Sequence, residues 1–239
     1  MQLFLIRHAQ SANNRLWDLT GDNKGRSHDP ELTGLGLKQA TSVAGQLRDG
    51  DPLDNGQTPG ARPERGFGIT HVYCSLMLRA VQTGNAVAEA LDLPLIGWPE
   101  VHEAGGIYLD DEETGLPIGL AGNPRSFFEQ NFPRLVLPDW LNESGWWNRD
   151  FESDEDRLPR GYRALAQLIE RHAGSDDRVA VITHGGFYNY ILAAILELPR
   201  RPELWLLMNN TGISRVGFEK RPVLYYHNRT DHLPREWVT

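Results

Sequence analysis

Short apolar, β-prone runs that stop abruptly at polar residues, separated by segments of helical period, leave this chain little choice but an alternating α/β fold. Residues 2–6, 71–74 and 178–183 are such runs, and unbroken apolar character over so short a length is the pattern of strands buried on both faces. Between them, Leu35, Leu37, Ala40, Val43, Ala44 and Leu47 recur at helical spacing behind Thr33, which is placed to cap them. Residues 77–91 carry Leu78, Val81, Ala86, Val87, Ala90 and Leu91 in the same way. Residues 155–173 predict an amphipathic helix through Leu158, Tyr162, Leu165, Leu168 and Ile169, and an apolar helix at about 187–197 follows Gly185-Gly186. Pro94-Leu95-Ile96 and residues 213–218 and 223–227 add short strands. Strands alternating with helices predict a single three-layer α/β/α domain over residues 1–239 around a mostly parallel sheet. A chain of 239 residues can close one such core without disulfides or a structural metal.

Two stretches break the pattern. Residues 49–68, rich in Gly, Pro and Asp, predict a surface loop. Residues 106–155 have little regular period beyond a short helix near 126–130, and predict an irregular, lid-like insertion. Trp140, Trp146 and Trp147 within it argue against disorder. Local packing is the plainer reading of these tryptophans.

Composition narrows the function classes. The formal charge of −8 makes the chain a poor binder of nucleic acid or anionic membranes, but leaves room for a locally positive pocket. Its one cysteine, Cys74, excludes an intrachain disulfide and a cysteine metal cluster. The first apolar run is too short for a signal-peptide core, and no stretch reaches the roughly 18 apolar residues of a membrane helix. The expectation is a cytoplasmic protein.

Three of the strands end in residues suited to a phosphoryl group. The first ends at Arg7-His8, the second runs into Ser75 and Arg79, and the third ends at His184-Gly185-Gly186. Ligands of parallel sheets bind beyond the carboxyl ends of the strands. If these three are neighbours, two arginines and two histidines converge. Arginine offers a planar fork to phosphate oxygens, and a neutral imidazole can attack phosphorus. The double glycine lets backbone and a helix N-terminus approach an anion.

These residues sit in five ordered blocks. Arg7-His8-Ala9-Gln10-Ser11-Ala12-Asn13-Asn14 resembles the Arg-His-Gly-Glu-Thr-x-x-Asn signature of the histidine phosphatase superfamily, which includes the cofactor-dependent phosphoglycerate mutases. Leu32-Thr33-Gly34-Leu35-Gly36 with Gln39-Ala40 resembles its Leu-Thr-x-x-Gly-x-x-Gln-Ala segment. Ser75-Leu76-Met77-Leu78-Arg79-Ala80-Val81-Gln82-Thr83 is similar to its Ser-x-x-x-Arg-Ala-x-Gln-Thr segment. Glu103 lies where the family has its acidic residue, and Thr183-His184-Gly185-Gly186 matches the second histidine motif. Residues 106–155 and those after 200 are covered weakly.

The resemblance implies a phosphoglycerate mutase-like fold. It implies His8 as the phosphorylated nucleophile, and Arg7, Arg79 and His184 as ligands of the phosphoryl oxygens. Asn14, Ser11 and Gly185 are further phosphate contacts, and Glu103 is the proton donor. It requires no metal and no cofactor, and it makes a homodimer plausible by analogy alone.

Two departures matter. Ala9 replaces the glycine after the nucleophile. Glu103-Ala104-Gly105-Gly106-Ile107 replaces the Glu-Arg-His-Tyr-Gly run of the mutases, so the arginine and tyrosine that help hold phosphoglycerate are missing. The expected activity is therefore hydrolysis of phosphomonoesters, a histidine acid-type phosphatase acting on a phosphorylated small molecule or a phosphoprotein. A mutase and a catalytically silent phosphate- or protein-binding module are the alternatives. His28, His71, His102, His172, His227 and His232 lack motif context and are read as structural or surface residues. The acidic runs at 110–113 and 152–156 are read as solvated faces rather than metal sites.

Overall fold

The computed structural model describes residues 1–50, 66–198 and 204–239. Most of the loop expected at 49–68 lies outside the described residues. In chain order the elements are β1 (Gln2–Arg7), α1 (Ala12–Thr20), α2 (Gly34–Asp49), β2 (His71–Cys74), α3 (Leu78–Leu91) and β3 (Leu95–Gly97). There follow β4 (Tyr108–Asp110), β5 (Pro117–Gly119), α4 (Arg125–Asn131), β6 (Leu135–Val136) and α5 (Asp154–His172). The chain closes with β7 (Arg178–Thr183), α6 (Gly185–Ile195), β8 (Ile213–Phe218) and β9 (Pro222–Arg229).

Seven strands form the central sheet in the order β6-β3-β2-β7-β1-β8-β9. The first five are mutually parallel, whereas β8 runs opposite to them and pairs antiparallel with both β1 and β9. The three strands that end in phosphate-suited residues are thus adjacent, as β2-β7-β1. Apolar side chains fill both faces. On one, Phe4, Ile6, Val72, Ala180 and Ile182 pack with Val43, Leu47, Val81 and Val87 of α2 and α3. On the other, Leu3, Leu5, Val179 and Val181 pack with Leu168, Phe187, Ile191 and Leu192 of α5 and α6. The expected three layers are present. No helix among the described residues is long and apolar enough to cross a membrane.

Residues 106–155 are more regular than their composition suggests. They hold the β4–β5 hairpin, α4 and the edge strand β6, which pairs with β3 and so extends the main sheet. Trp146 and Trp147 are buried in the α2/α3-side core, whereas Trp140 is exposed. A Cβ on Gly106, which has φ +79, would stand 1.9 Å from the Trp147 ring. The segment is therefore anchored by packing, which its irregular spacing concealed. Helix α5 also departs from its pattern. Tyr162 and Ile169 face solvent, and the buried side carries Arg160, Ala164, Leu168 and His172. A charged residue on the core side is invisible to an apolar count. Arg160 is held there by Glu152, with Nη2 2.7 Å from Oε2, and by the carbonyls of Glu100 and His102.

Candidate active site

Beyond the carboxyl end of β1 lies a cavity of about 240 Å³ lined by Arg7, His8, Ser11, Asn13, Asn14, Trp17, Asn23, Arg26, Arg79, Glu103 and Tyr108, with His184, at the end of β7, behind His8 rather than in the lining. His8 follows β1 directly. Its backbone N–H donates to the Thr183 carbonyl (2.9 Å), and its carbonyl accepts from Asn210 Nδ2 (2.8 Å). Its ring lies between two partners of opposite kind. Nδ1 is 2.7 Å from the Ala9 carbonyl, which only accepts, and Nε2 is 3.1 Å from Arg79 Nε, which only donates. Both contacts are met by one tautomer, with the proton on Nδ1 and the lone pair on Nε2. Burial, then Arg79 and Arg7, hold His8 well below the usual imidazole range. The ring is therefore neutral at neutral pH, with the lone pair of Nε2 beside a guanidinium.

His184 caps β7, and its ring centroid is 5.0 Å from that of His8. It is fully buried, and neither ring nitrogen has a hydrogen-bond partner among the described residues. Burial, then Arg79 and His8, keep it well below the usual range too. Arg7 anchors Nη1 on the Met208 carbonyl at 2.6 Å, while its buried Nε has no partner among the described residues. Buried polar groups are normally satisfied. Unspent donors on Arg7 and His184 around a neutral imidazole suit the oxygens of a phosphoryl group.

Glu103 reaches the cavity from the loop after β3. The Phe187 and Gly186 N–H groups donate to its Oε1 and Oε2 at 2.9 and 3.2 Å, and the Ala104 N–H donates to Oε1 at 2.8 Å. The N-terminus of α6 thus receives this carboxylate, where the sequence suggested phosphate. Gly186 is required for that contact, because a Cβ there would stand 2.3 Å from Glu103 Oε1. Gly185 does not line the cavity, and an added Cβ would be in ordinary contact with Arg7. Ser11 and Asn14 both line it. They also form a reciprocal cap on α1, in which Asn14 N donates to Ser11 Oγ and Ser11 N donates to Asn14 Oδ1.

Several motif residues prove to be ties between loops. Thr83 Oγ1 accepts from Ala9 N at 3.0 Å and donates to the Arg79 carbonyl at 2.8 Å. Gln82 Oε1 accepts from Leu32 N, and Gln39 Oε1 accepts from Gln10 N. Gly36 is demanded because a Cβ there would lie 2.1 Å from the Gln10 carbonyl oxygen. Ala9 is fully buried and its methyl is accommodated.

Sequence reasoning missed a second set. Asp29, in the loop before α2, accepts from Leu78 N (2.9 Å) and Asn123 Nδ2 (3.1 Å), and Oδ1 lies 3.9 Å from Arg79 Nη1. Burial pushes its carboxyl up to about 6 despite Arg79. Asn210 ties the loop before β8 to His8 and Asn14. Asn13, Trp17, Asn23, Arg26 and Tyr108 complete the cavity wall, and the Arg26 guanidinium lies 4.3 Å from the Tyr108 ring centroid. None has a sequence signal beyond nearness to the first block, and Tyr108 lacks even that.

A family model described as histidine phosphatase superfamily (branch 1) matches residues 119–228. Over that segment, just under half of its length, the chain is similar to the histidine phosphatase superfamily. A probable phosphoglycerate mutase, GpmB, of Yersinia pestis (strain Pestoides F) is 25% identical over 236 residues, covering 94% of this chain and 88% of the relative. The fold matches that of a phosphoserine phosphatase from Entamoeba histolytica, solved with 3-phosphoglyceric acid, with a TM-score of 0.59, 22% identity and coverage of 98% and 99%. It also matches a mycobacterial glucosyl-3-phosphoglycerate phosphatase, solved with VO3, with a TM-score of 0.59, 19% identity and coverage of 96% and 99%. The fold of those structures, a mostly parallel sheet between helical layers, is the fold of this chain.

Proposed function

We propose that this chain is a member of the histidine phosphatase superfamily and hydrolyses small phosphomonoesters through a phosphohistidine on His8. The observation that carries the reading is the His8 ring, held by Ala9 and Arg79 in the tautomer whose Nε2 lone pair can attack. The ester's phosphoryl group sits with its oxygens on Arg7, Arg79 and His184, with Ser11 and Asn14 at the same wall. Arg79 turns from His8 Nε2 to a phosphoryl oxygen as the phosphorus takes its place. The His8 Nε2 pair then bonds to phosphorus while the bond to the leaving oxygen breaks, and Glu103, which enters the step protonated, delivers its proton to that oxygen. Water next attacks the phosphohistidine. Glu103 takes the water's proton, the P–N bond breaks, and neutral His8 and inorganic phosphate return.

Hydrolysis is favoured over transfer between phosphoglycerate positions by the glycines that come after Glu103. Gly105 and Gly106 both have positive φ, and side chains at those positions would strike Phe151 and Trp147. Gly106 stands where the mutases carry their tyrosine and Ala104 where they carry their arginine, so neither of those substrate-holding side chains is present. The far wall, with Asn13, Asn23, Arg26 and Tyr108, suits a small polar leaving group, and Arg26 suits one carrying a second anionic group. Incubation with a labelled phosphomonoester, then denaturation in alkali, should trap one acid-labile phosphate per wild-type chain and none on His8→Ala. Equal labelling, or full turnover by His8→Ala, refutes the mechanism.

A further inference from the structure

A second histidine cluster lies at the opposite end of the sheet. His71 opens β2, His172 closes α5, and Asp177 immediately precedes β7. One carboxylate faces two imidazoles delivered by separate elements. Asp177 Oδ2 is 2.9 Å from His172 Nδ1, and Oδ1 is 3.8 Å from His71 Nδ1. The two rings meet edge-on with centroids 4.7 Å apart. One donor atom from each of the three residues lies within 4.8 Å of the others.

We propose that His71, His172 and Asp177 form a binding site for a divalent transition-metal ion of zinc-like character. Two imidazoles and a carboxylate are a borderline nitrogen–oxygen donor set of the kind that Zn²⁺ accepts with water as fourth ligand. Tetrahedral ligation at 2.0–2.2 Å puts donors roughly 3.3 Å apart. The cluster is therefore slightly open, and small rotations of the two partly exposed ligands, His71 and Asp177, close it. His172 needs no rotation. It is buried, and Tyr73 Oη lies 3.0 Å from its Nε2, the contact that sets a metal-binding ring so that Nδ1 faces the ion. A simple turn lock explains His172 with Asp177, because that bond bridges the short α5–β7 connection. It does not explain His71, about 100 residues earlier, whose Nδ1 lies 2.9 Å from Thr70 Oγ1 and 3.8 Å from the second carboxylate oxygen. The bound ion would tie β2 to the α5–β7 turn, remote from the cavity.

The test uses the full, tag-free chain, stripped with chelator and titrated with ZnCl2 by calorimetry, with Co²⁺ absorption as a second readout. The site predicts one Zn²⁺ per chain at micromolar affinity or tighter, d–d bands from low-symmetry Co²⁺ and a melting temperature raised by several degrees. Asp177→Asn and His71→Gln should each weaken binding at least tenfold and abolish the cobalt bands, while His8→Ala leaves the stoichiometry intact. Absence of saturable binding, unchanged binding in both ligand variants, or loss of binding in His8→Ala would each overturn the proposal.

Discussion

Two pairs of histidines stand at opposite ends of the same parallel sheet, about five strand residues or roughly 16 Å apart, and their surroundings give them opposite chemistry. His8 and His184 sit among cations, with centroids 5.0 Å apart. His71 and His172 are nearly as close, at 4.7 Å, but share a carboxylate. Arg7 and Arg79 disfavour a proton on the first pair and attract an anion. Asp177 favours a cation between the second pair. Ring proximity is common to both, so neighbouring charge decides what each pair can do.

The contrast breaks most completely at Arg79. On the proposed mechanism Arg79→Ala removes both a phosphate donor and the charge that, after burial, most depresses His8, and should lower kcat/KM about 1,000-fold. The sign of the pH effect is fixed. Arg79 lowers the His8 pKa, so its loss raises that pKa, and the acidic limb of the kcat/KM profile moves to higher pH. An unmoved limb would mean that the guanidinium does not govern the nucleophile. Gly186→Ala comes next. Its Cβ displaces the Glu103 carboxylate, and a loss of about 10- to 100-fold in kcat with an intact circular dichroism spectrum is expected.

Asp29→Asn should cost about tenfold in activity through Arg79. It also tests a linkage. Asp29 is held at about 6 against 3.8 for a free carboxyl. Its contribution to stability is complete below the unfolded value and is lost as pH rises through about 6. The variant cannot ionise there, so its melting temperature relative to wild type should climb between about pH 4 and 6 and level off above that. A constant difference across that range would remove the buried carboxylate from the account. The smallest effect belongs to Arg26→Ala. For a substrate with a second anionic group KM should rise about fivefold at constant kcat, whereas turnover of p-nitrophenyl phosphate should hold within about twofold.

The two ends of the sheet were unequally legible. Residue types suited to donating to phosphate or attacking phosphorus cluster next to strand ends in short motifs, so Arg7, His8, Arg79 and His184 could be read as one group. Glu103 was placed by the same blocks, but its seat on α6 was not, since that needs the loop after β3 to meet Gly186 in space. Asp29 and Asn210 act by hydrogen bonds to residues about 50 and 200 positions away, and His71 meets His172 across about 100. No local spacing encodes such meetings. The tryptophans at 146 and 147 announced order in an irregular segment, yet only packing revealed them as core.

What the sequence determined alone is the alternation of strand and helix, and with it a parallel sheet whose carboxyl ends present arginine and histidine. Apolar period and residue chemistry are local properties, so they survive in one dimension. The tertiary structure decided three further things. It inserted β7 between β1 and β2, which brings His184 beside His8. It gave the α6 N-terminus to Glu103. It set cations around one pair of imidazoles and a carboxylate beside the other. Each depends on which distant segments share a neighbourhood, and charge acts through distance in space rather than along the chain.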